Sequence, residues 1–117
     1  MPSFDLELIL YQACKIVFKN AEGELTQEEI KNKVLSYDDD NVLNRALDIE
    51  MNRVGLVEME KVLYTYGIQK AMNEFSQNDS CPDVEDLVRC IIRDEFLEWA
   101  EEDDEVVQVT YEGVVNE

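Results

Sequence analysis

The sequence contains no histidine and no closely spaced pair of cysteines. Histidine is the commonest general base and metal ligand, so its absence removes the simplest arrangements for acid–base catalysis and for zinc binding. Cys14, Cys81 and Cys90 are odd in number and widely spaced, which argues against a disulfide framework. There is also no P-loop and no glycine-rich dinucleotide turn. We therefore expect a protein that is not an enzyme and that uses neither a cofactor nor a metal.

Long apolar runs are missing as well. No stretch approaches the roughly 20 apolar residues that a membrane-spanning helix needs. The first residues do not combine a basic region with an apolar run, as a secretory signal would. We expect a protein of the cytoplasm, which would be the host cytoplasm if the source is viral, and no membrane partner.

Positive charge is scarce. The 117 residues include 10 Lys and Arg against 28 Asp and Glu, which gives a formal net charge of −18. Non-specific binding to nucleic acid or to an anionic membrane requires positive surface, so this balance disfavours both. Apolar residues nevertheless make up 45% of the chain, which is more than a disordered acidic tail would contain. The length fits one domain with a single core.

Four segments carry helical signals. Apolar residues recur at helical spacing from Leu6 to Val17 behind a possible cap at Ser3. Residues 25–30 fit a capping box in which Thr26 is the cap and Glu29 reaches back to it. A third helix should start after Asp38–Asp40 and end at a left-handed cap on Gly55. A further helix should follow Pro82, with an apolar face that extends to Trp99, and should fray in the acidic run 101–105.

Three segments favour strands. Residues 56–60 and 62–66 are short β-prone runs, which we interpret as a small hairpin, although its turn lacks a strong signature. Residues 106–111 are β-prone too and would form a terminal strand. A helix is expected over 68–75, followed by a polar connector at 77–80. The expected fold class is therefore mainly α with a β-hairpin, in one domain: a core at 1–76 and an acidic helix and strand at 77–117 packed on it.

This order of elements resembles a winged helix-turn-helix domain over roughly residues 4–76. Residues 25–30 look like the start of its second helix, and residues 44–58 look like its recognition helix running into the wing. The resemblance implies a dimeric transcriptional regulator whose third helix enters the major groove of DNA, with Asn44, Arg45 and Arg53 reading bases or phosphates. Asp38, Asp39 and Asp40, however, would face the DNA, so the fold is compatible with a different function.

Acidic residues are concentrated near the C-terminus. Residues 1–58 carry a net charge of −6 and residues 59–117 carry −12, and eight of the twelve residues from 94 to 105 are acidic. Carboxylates on successive helical turns lie about 6 Å apart along the axis, which is similar to the spacing of phosphates along a strand. The simpler interpretation is a solvated helix end that keeps the protein soluble. The composition also resembles that of small acidic phage proteins that inhibit restriction or CRISPR nucleases.

Our leading hypothesis is a non-enzymatic inhibitor that binds a basic surface of a nucleic-acid-handling protein and excludes its nucleic acid. The residues predicted to bind the partner are Asp38, Asp39, Asp40, Asp94, Glu95, Glu98, Glu101, Glu102, Asp103 and Asp104. The alternatives are the DNA-binding regulator and a structural adaptor subunit that docks through apolar contacts. A homodimer is expected from the wide apolar face of the helix after Pro82. A calcium loop at residues 38–40 is disfavoured because the required Gly and closing Glu are missing.

Overall fold

The computed structural model describes residues 4–35, 42–67, 69 and 83–115. Helices form nearly all of this part of the chain. They are α1 (Leu6–Lys19), α2 (Gln27–Val34), α3 (Val42–Tyr66), α4 (Val84–Glu102) and α5 (Asp104–Val115). Helix α1 packs on α3 and α5, and α4 packs on α3 from another side. Within the described ranges, no helix is both long and apolar enough to cross a membrane.

The predicted β-hairpin and the winged-helix resemblance are wrong. None of the described residues forms a strand, and residues 56–66 continue α3 as helix. Met59, Val62 and Leu63 are buried there, and Tyr66 packs against the same core. These positions follow the i, i+3, i+4, i+7 spacing of a helix. Burial of that face outweighed the β propensity of the valines and tyrosines, which is a weak and context-dependent preference.

The predicted terminal strand at 106–111 is wrong for the same reason. This segment lies within α5, where Val107 is buried and Val106, Tyr111 and Val114 pack against the core. The ring of Tyr111 lies 5.3 Å from that of Phe18, measured between centroids. The fold class is therefore all-helical among the described residues rather than mainly α with a hairpin.

The local helix signals were largely correct. Thr26 caps α2 by accepting a hydrogen bond from the Glu29 amide, and its hydroxyl donates to the Glu29 carboxylate at 3.1 Å. Gly55 has the positive φ expected of a cap, 82°, but its ψ of 173° differs from that of the predicted left-handed cap. It breaks α3 without ending it, because the helix resumes immediately afterwards. The cap of α1 is Asp5, whereas Ser3 and the predicted helix at 68–75, apart from residue 69, lie outside the described residues.

A single hydrophobic cluster joins all five helices. Its largest fully buried side chains include Ile9 and Leu10 of α1, Leu47 of α3, and Ile92 and Phe96 of α4. The apolar face of α4 is thus buried inside the chain, where it covers α3. A homodimer stays a prediction. It is no longer needed to cover the apolar face of α4, because α3 covers that face.

One charged side chain lies inside the core of the described residues. Glu50, on α3, is 1% exposed. Its Oε1 atom accepts hydrogen bonds from the backbone amide of Asp5 at 3.2 Å and from Nε of Arg53 at 2.9 Å. Nη2 of Arg53 also bonds to Oε1, and this interaction raises the pKa of Arg53 above its ordinary value. Because the Asp5 amide is at the start of α1, Glu50 fixes the beginning of α1 on the middle of α3.

Replacing Arg53 by alanine should destabilise the fold, because it leaves the buried Glu50 carboxylate without its positive partner. Urea unfolding followed by the fluorescence of Trp99 measures the change. Glu50→Leu should cost less than Arg53→Ala, because it removes the buried charge together with its need for a partner. Equal stability of Arg53→Ala and the unaltered protein would contradict this role for the pair.

Candidate functional site

The exposed side of α4 carries a line of four carboxylates. Asp94, Glu98, Glu101 and Glu102 are all exposed. They fall on one side of the helix because, at 3.6 residues per turn, separations of four, seven and eight residues place them within an arc of about 100°. The line covers about 12 Å of helix axis at a rise of 1.5 Å per residue. We call these four residues the acidic stripe.

The two arginines of α4 differ in their position relative to the acidic stripe. Arg89 donates to the backbone carbonyl of Asn44 at 3.3 Å and forms an ion pair with Asp48, so it faces α3. Arg93 is half-buried and directs Nη2 towards Sγ of Cys90 at 3.6 Å. Helical spacing puts Arg89 roughly opposite the stripe and Arg93 beside its edge, about 80° from Glu101. Arg89 therefore holds α4 against α3 and lies away from the stripe.

Glu95 differs from the stripe residues, although it was predicted with them. It is half-buried and accepts a hydrogen bond from the hydroxyl of Tyr66 on α3. Burial raises the pKa of Tyr66 to about 12, with the bond to Glu95 and the charge of Glu95 as further causes. Glu95 therefore joins α4 to α3 in addition to contributing charge.

The acidic run after the stripe starts a new helix. Asp103 lies between α4 and α5, and its carboxylate accepts the amide of Glu105 at 3.0 Å. Asp104 is the first residue of α5. Acidic groups are favourable at a helix N-terminus because the unpaired amides there carry partial positive charge. Asp103 therefore has a structural role that explains its presence without a partner. Asp38, Asp39 and Asp40 lie outside the described residues.

The three residues predicted to read DNA differ in exposure and in their contacts. Arg45 is exposed, but Asn44 is half-buried, and Arg53 is held by the buried Glu50. Without a wing in residues 56–66, the surface around them no longer matches a winged helix. The structure therefore removes the argument that grouped these three residues as a DNA-reading face.

A groove of about 550 Å³ between α1 and α5 was not predicted from the sequence. Four acidic residues line it: Asp5 and Glu7 from the start of α1, and Asp103 and Glu105 from the start of α5. Apolar and polar residues complete its wall, namely Leu8, Tyr11, Val106, Val109, Thr110 and Gly113. In the sequence these acids look like ordinary helix-starting residues. Only the parallel packing of α1 and α5 puts them side by side.

The remaining reactive side chains form no evident chemical site. Among the described residues, no three His, Cys, Asp or Glu side chains come together as metal ligands. Cys14 is fully buried, and burial raises the pKa of its thiol to about 11. Trp99 is half-buried, with its ring centroid 5.9 Å from that of Phe96, whereas Tyr64 is 78% exposed. Trp99 thus belongs to the core, and Tyr64 is an exposed aromatic on the second half of α3.

The raised pKa of Cys14 predicts that the free energy of unfolding is smaller at high pH. The unfolded thiol ionises near its ordinary value of 9, while the folded thiol stays neutral until about 11. The unfolded state therefore binds fewer protons in this range, so the free energy of unfolding falls as pH rises from 9 to 11. Cys14→Ala should show a shallower decline than Cys90→Ala in urea unfolding at a series of pH values. If the free energy of unfolding fell equally steeply with pH in the two variants, this prediction would be wrong.

Comparisons of the chain with protein-family models, curated proteins and solved structures found no match. The function must therefore be argued from the residues themselves.

Proposed function

We propose that this protein is a non-enzymatic interaction protein that binds a basic surface of a nucleic-acid-handling protein and blocks access of nucleic acid. The acidic stripe carries the proposal. Its carboxylates are exposed and lie on one side of α4, and Arg89 of the same helix is engaged with α3 instead. A cationic groove that normally holds a phosphate backbone presents Lys and Arg side chains suited to such a line of charge.

The position of the stripe supports a role beyond solubility. Asp94 and Glu98, and likewise Glu98 and Glu102, are like-charge pairs four residues apart, which destabilise a helix by about 0.2–0.5 kcal/mol each. Glu101 and Glu102 also lie at the C-terminal end of α4, which has no basic residue in its last turn. Negative charge is unfavourable there because the unpaired carbonyls carry partial negative charge. Solubility alone does not require acids at these positions, since any exposed site would serve.

The spacing within the stripe supports nucleic acid as the competitor. Residues four apart advance about 6 Å along the helix, which is close to the distance between neighbouring phosphates of one strand. Carboxylates accept the same charge-assisted hydrogen bonds from Arg and Lys as phosphate oxygens do. A partner that binds phosphates in sequence would thus find acceptors at similar intervals on α4.

The test compares capture of proteins by the unaltered chain and by Glu98→Gln/Glu101→Gln/Glu102→Gln. We expect the stripe variant to lose most of the capture of nucleic-acid-binding proteins from a lysate of the source cell. Added double-stranded DNA should displace the same proteins from the unaltered chain. The variant should keep its fold and gain up to about 1 kcal/mol in urea unfolding, because like-charge repulsion is relieved.

The control variant is Glu22→Gln/Glu24→Gln/Glu60→Gln, which removes the same charge from exposed positions away from α4. It should retain capture at a salt concentration of about 0.15 M, where charges separated by more than roughly 8 Å are screened. Equal loss in both variants would mean that total charge alone attracts these proteins. Capture that survives both variants and high salt would instead favour an adaptor that docks through apolar contacts.

A further inference from the structure

We propose that the groove between α1 and α5 holds a basic segment of the partner in which Arg or Lys residues alternate with small apolar residues. This inference rests on the proposed function and adds a second attachment point to it. The observations that support it are the groove's charge, its apolar lining residues and its position next to the acidic stripe along the chain.

The charge of the groove is of one sign. Its lining includes Asp5, Glu7, Asp103 and Glu105, and within the described part of the chain no Lys or Arg lines it. Asp5 and Asp103 each cap a helix with one carboxylate oxygen, Oδ1. Glu7 and Glu105 cap neither helix. Glu7 and Glu105 lie in the first turns of the same two helices, where negative charge is also favourable. A cationic ligand would be attracted by all four acids.

The groove also has apolar lining residues that are in contact with water. Val109 is 67% exposed, and Leu8 and Val106 are half-buried beside it. An exposed valine surrounded by carboxylates is poorly suited to a simple metal ion, which has no apolar surface to bury. It suits Arg and Lys, whose aliphatic stems cover apolar surface while the charged end reaches outward. The small residues between them would contact Val109 directly.

The groove begins where the acidic stripe ends. Glu102, the last residue of the stripe, immediately precedes Asp103, which lines the groove. The two acidic surfaces are therefore neighbours along the chain, at the junction of α4 and α5. A partner whose folded basic surface rests on the stripe would need only a short extension to reach the groove. Two linked contacts bind more tightly than either does alone, because the second contact forms within the same complex.

The experiment uses the full chain and a fluorescent synthetic peptide in which arginine and valine alternate. We expect it to bind at least about fivefold more tightly than an arginine–serine peptide of equal length and charge, a difference of roughly 1 kcal/mol. Glu7→Gln/Glu105→Gln should weaken binding at least fivefold, and Val109→Ser should reduce the preference for the valine peptide. In NMR titrations, the amides of Gly113 and Thr110 should shift.

The matched control is Glu28→Gln/Glu85→Gln. Glu28 and Glu85 are exposed acids in the first turns of α2 and α4, so the control removes the same charge from equivalent helix positions. The affinity of this control variant for the arginine–valine peptide should stay within twofold of that of the unaltered chain. The inference would be overturned if both pairs of substitutions weakened peptide binding equally, or if the unaltered chain did not prefer the valine peptide to the serine peptide. It would also be overturned if the amide shifts were confined to α4. Displacement of the peptide by equimolar spermine would also overturn it, because the groove would then be a polyamine site.

The stripe variant separates this inference from the proposed function. Glu98→Gln/Glu101→Gln/Glu102→Gln should lose protein capture but retain most of its affinity for the arginine–valine peptide. If the groove variants bind the peptide normally while the stripe variant loses capture, the groove is excluded and the proposed function stands. If the stripe variant captures the same proteins as the unaltered chain, the proposed function fails whatever the peptide does.

Discussion

Burial of one small apolar cluster, against the mutual repulsion of a net charge of −18, is the constraint on which the structure depends. A chain of this length has only enough apolar surface for one core, so every helix must contribute its apolar face to it. This explains why α3 continues past Gly55 and why the C-terminal segment is a helix. Both segments supply core residues at helical spacing, such as Val62 and Val107. Glu50 adds a specific attachment by binding the start of α1 from inside α3.

The acidic residues separate into two physical classes. Many stand where a helix stabilises them, as Asp5, Glu7, Asp83 and Asp103 do at helix N-termini. The stripe does not, because its carboxylates repel one another and two of them oppose the dipole at the end of α4. A charge that weakens its own helix is better explained by a partner than by folding. The acids of the groove are favoured individually, because they stand at the starts of α1 and α5. The packing of these two helices brings them together beside the exposed Val109. The resulting acidic surface belongs to neither helix alone.

A local sequence rule correctly identified the beginning of α2, because a capping box depends on neighbouring residues only. Thr26 and Glu29 form the predicted capping interaction. Gly55 has the positive φ expected of a cap, but the predicted helix end there was wrong because α3 continues beyond it. The errors came from segments rich in valine and tyrosine, where β propensity was preferred over spacing. Met59, Val62, Leu63 and Tyr66 already had helical spacing in the sequence, and so did Val107, Tyr111 and Val114. The winged-helix resemblance failed with the hairpin, since its wing depended on that assignment.

The sequence by itself determined the total charge, its concentration after residue 58, and the helical spacing that puts Asp94, Glu98, Glu101 and Glu102 on one face. These properties follow from composition and from the fixed 3.6-residue period of a helix. Tertiary structure decided which of the charges are already engaged. It paired Arg53 with Glu50 and Arg89 with Asp48, joined Glu95 to Tyr66, and formed the groove by setting α1 beside α5. These contacts join residues of different helices or depend on burial, which no local pattern specifies.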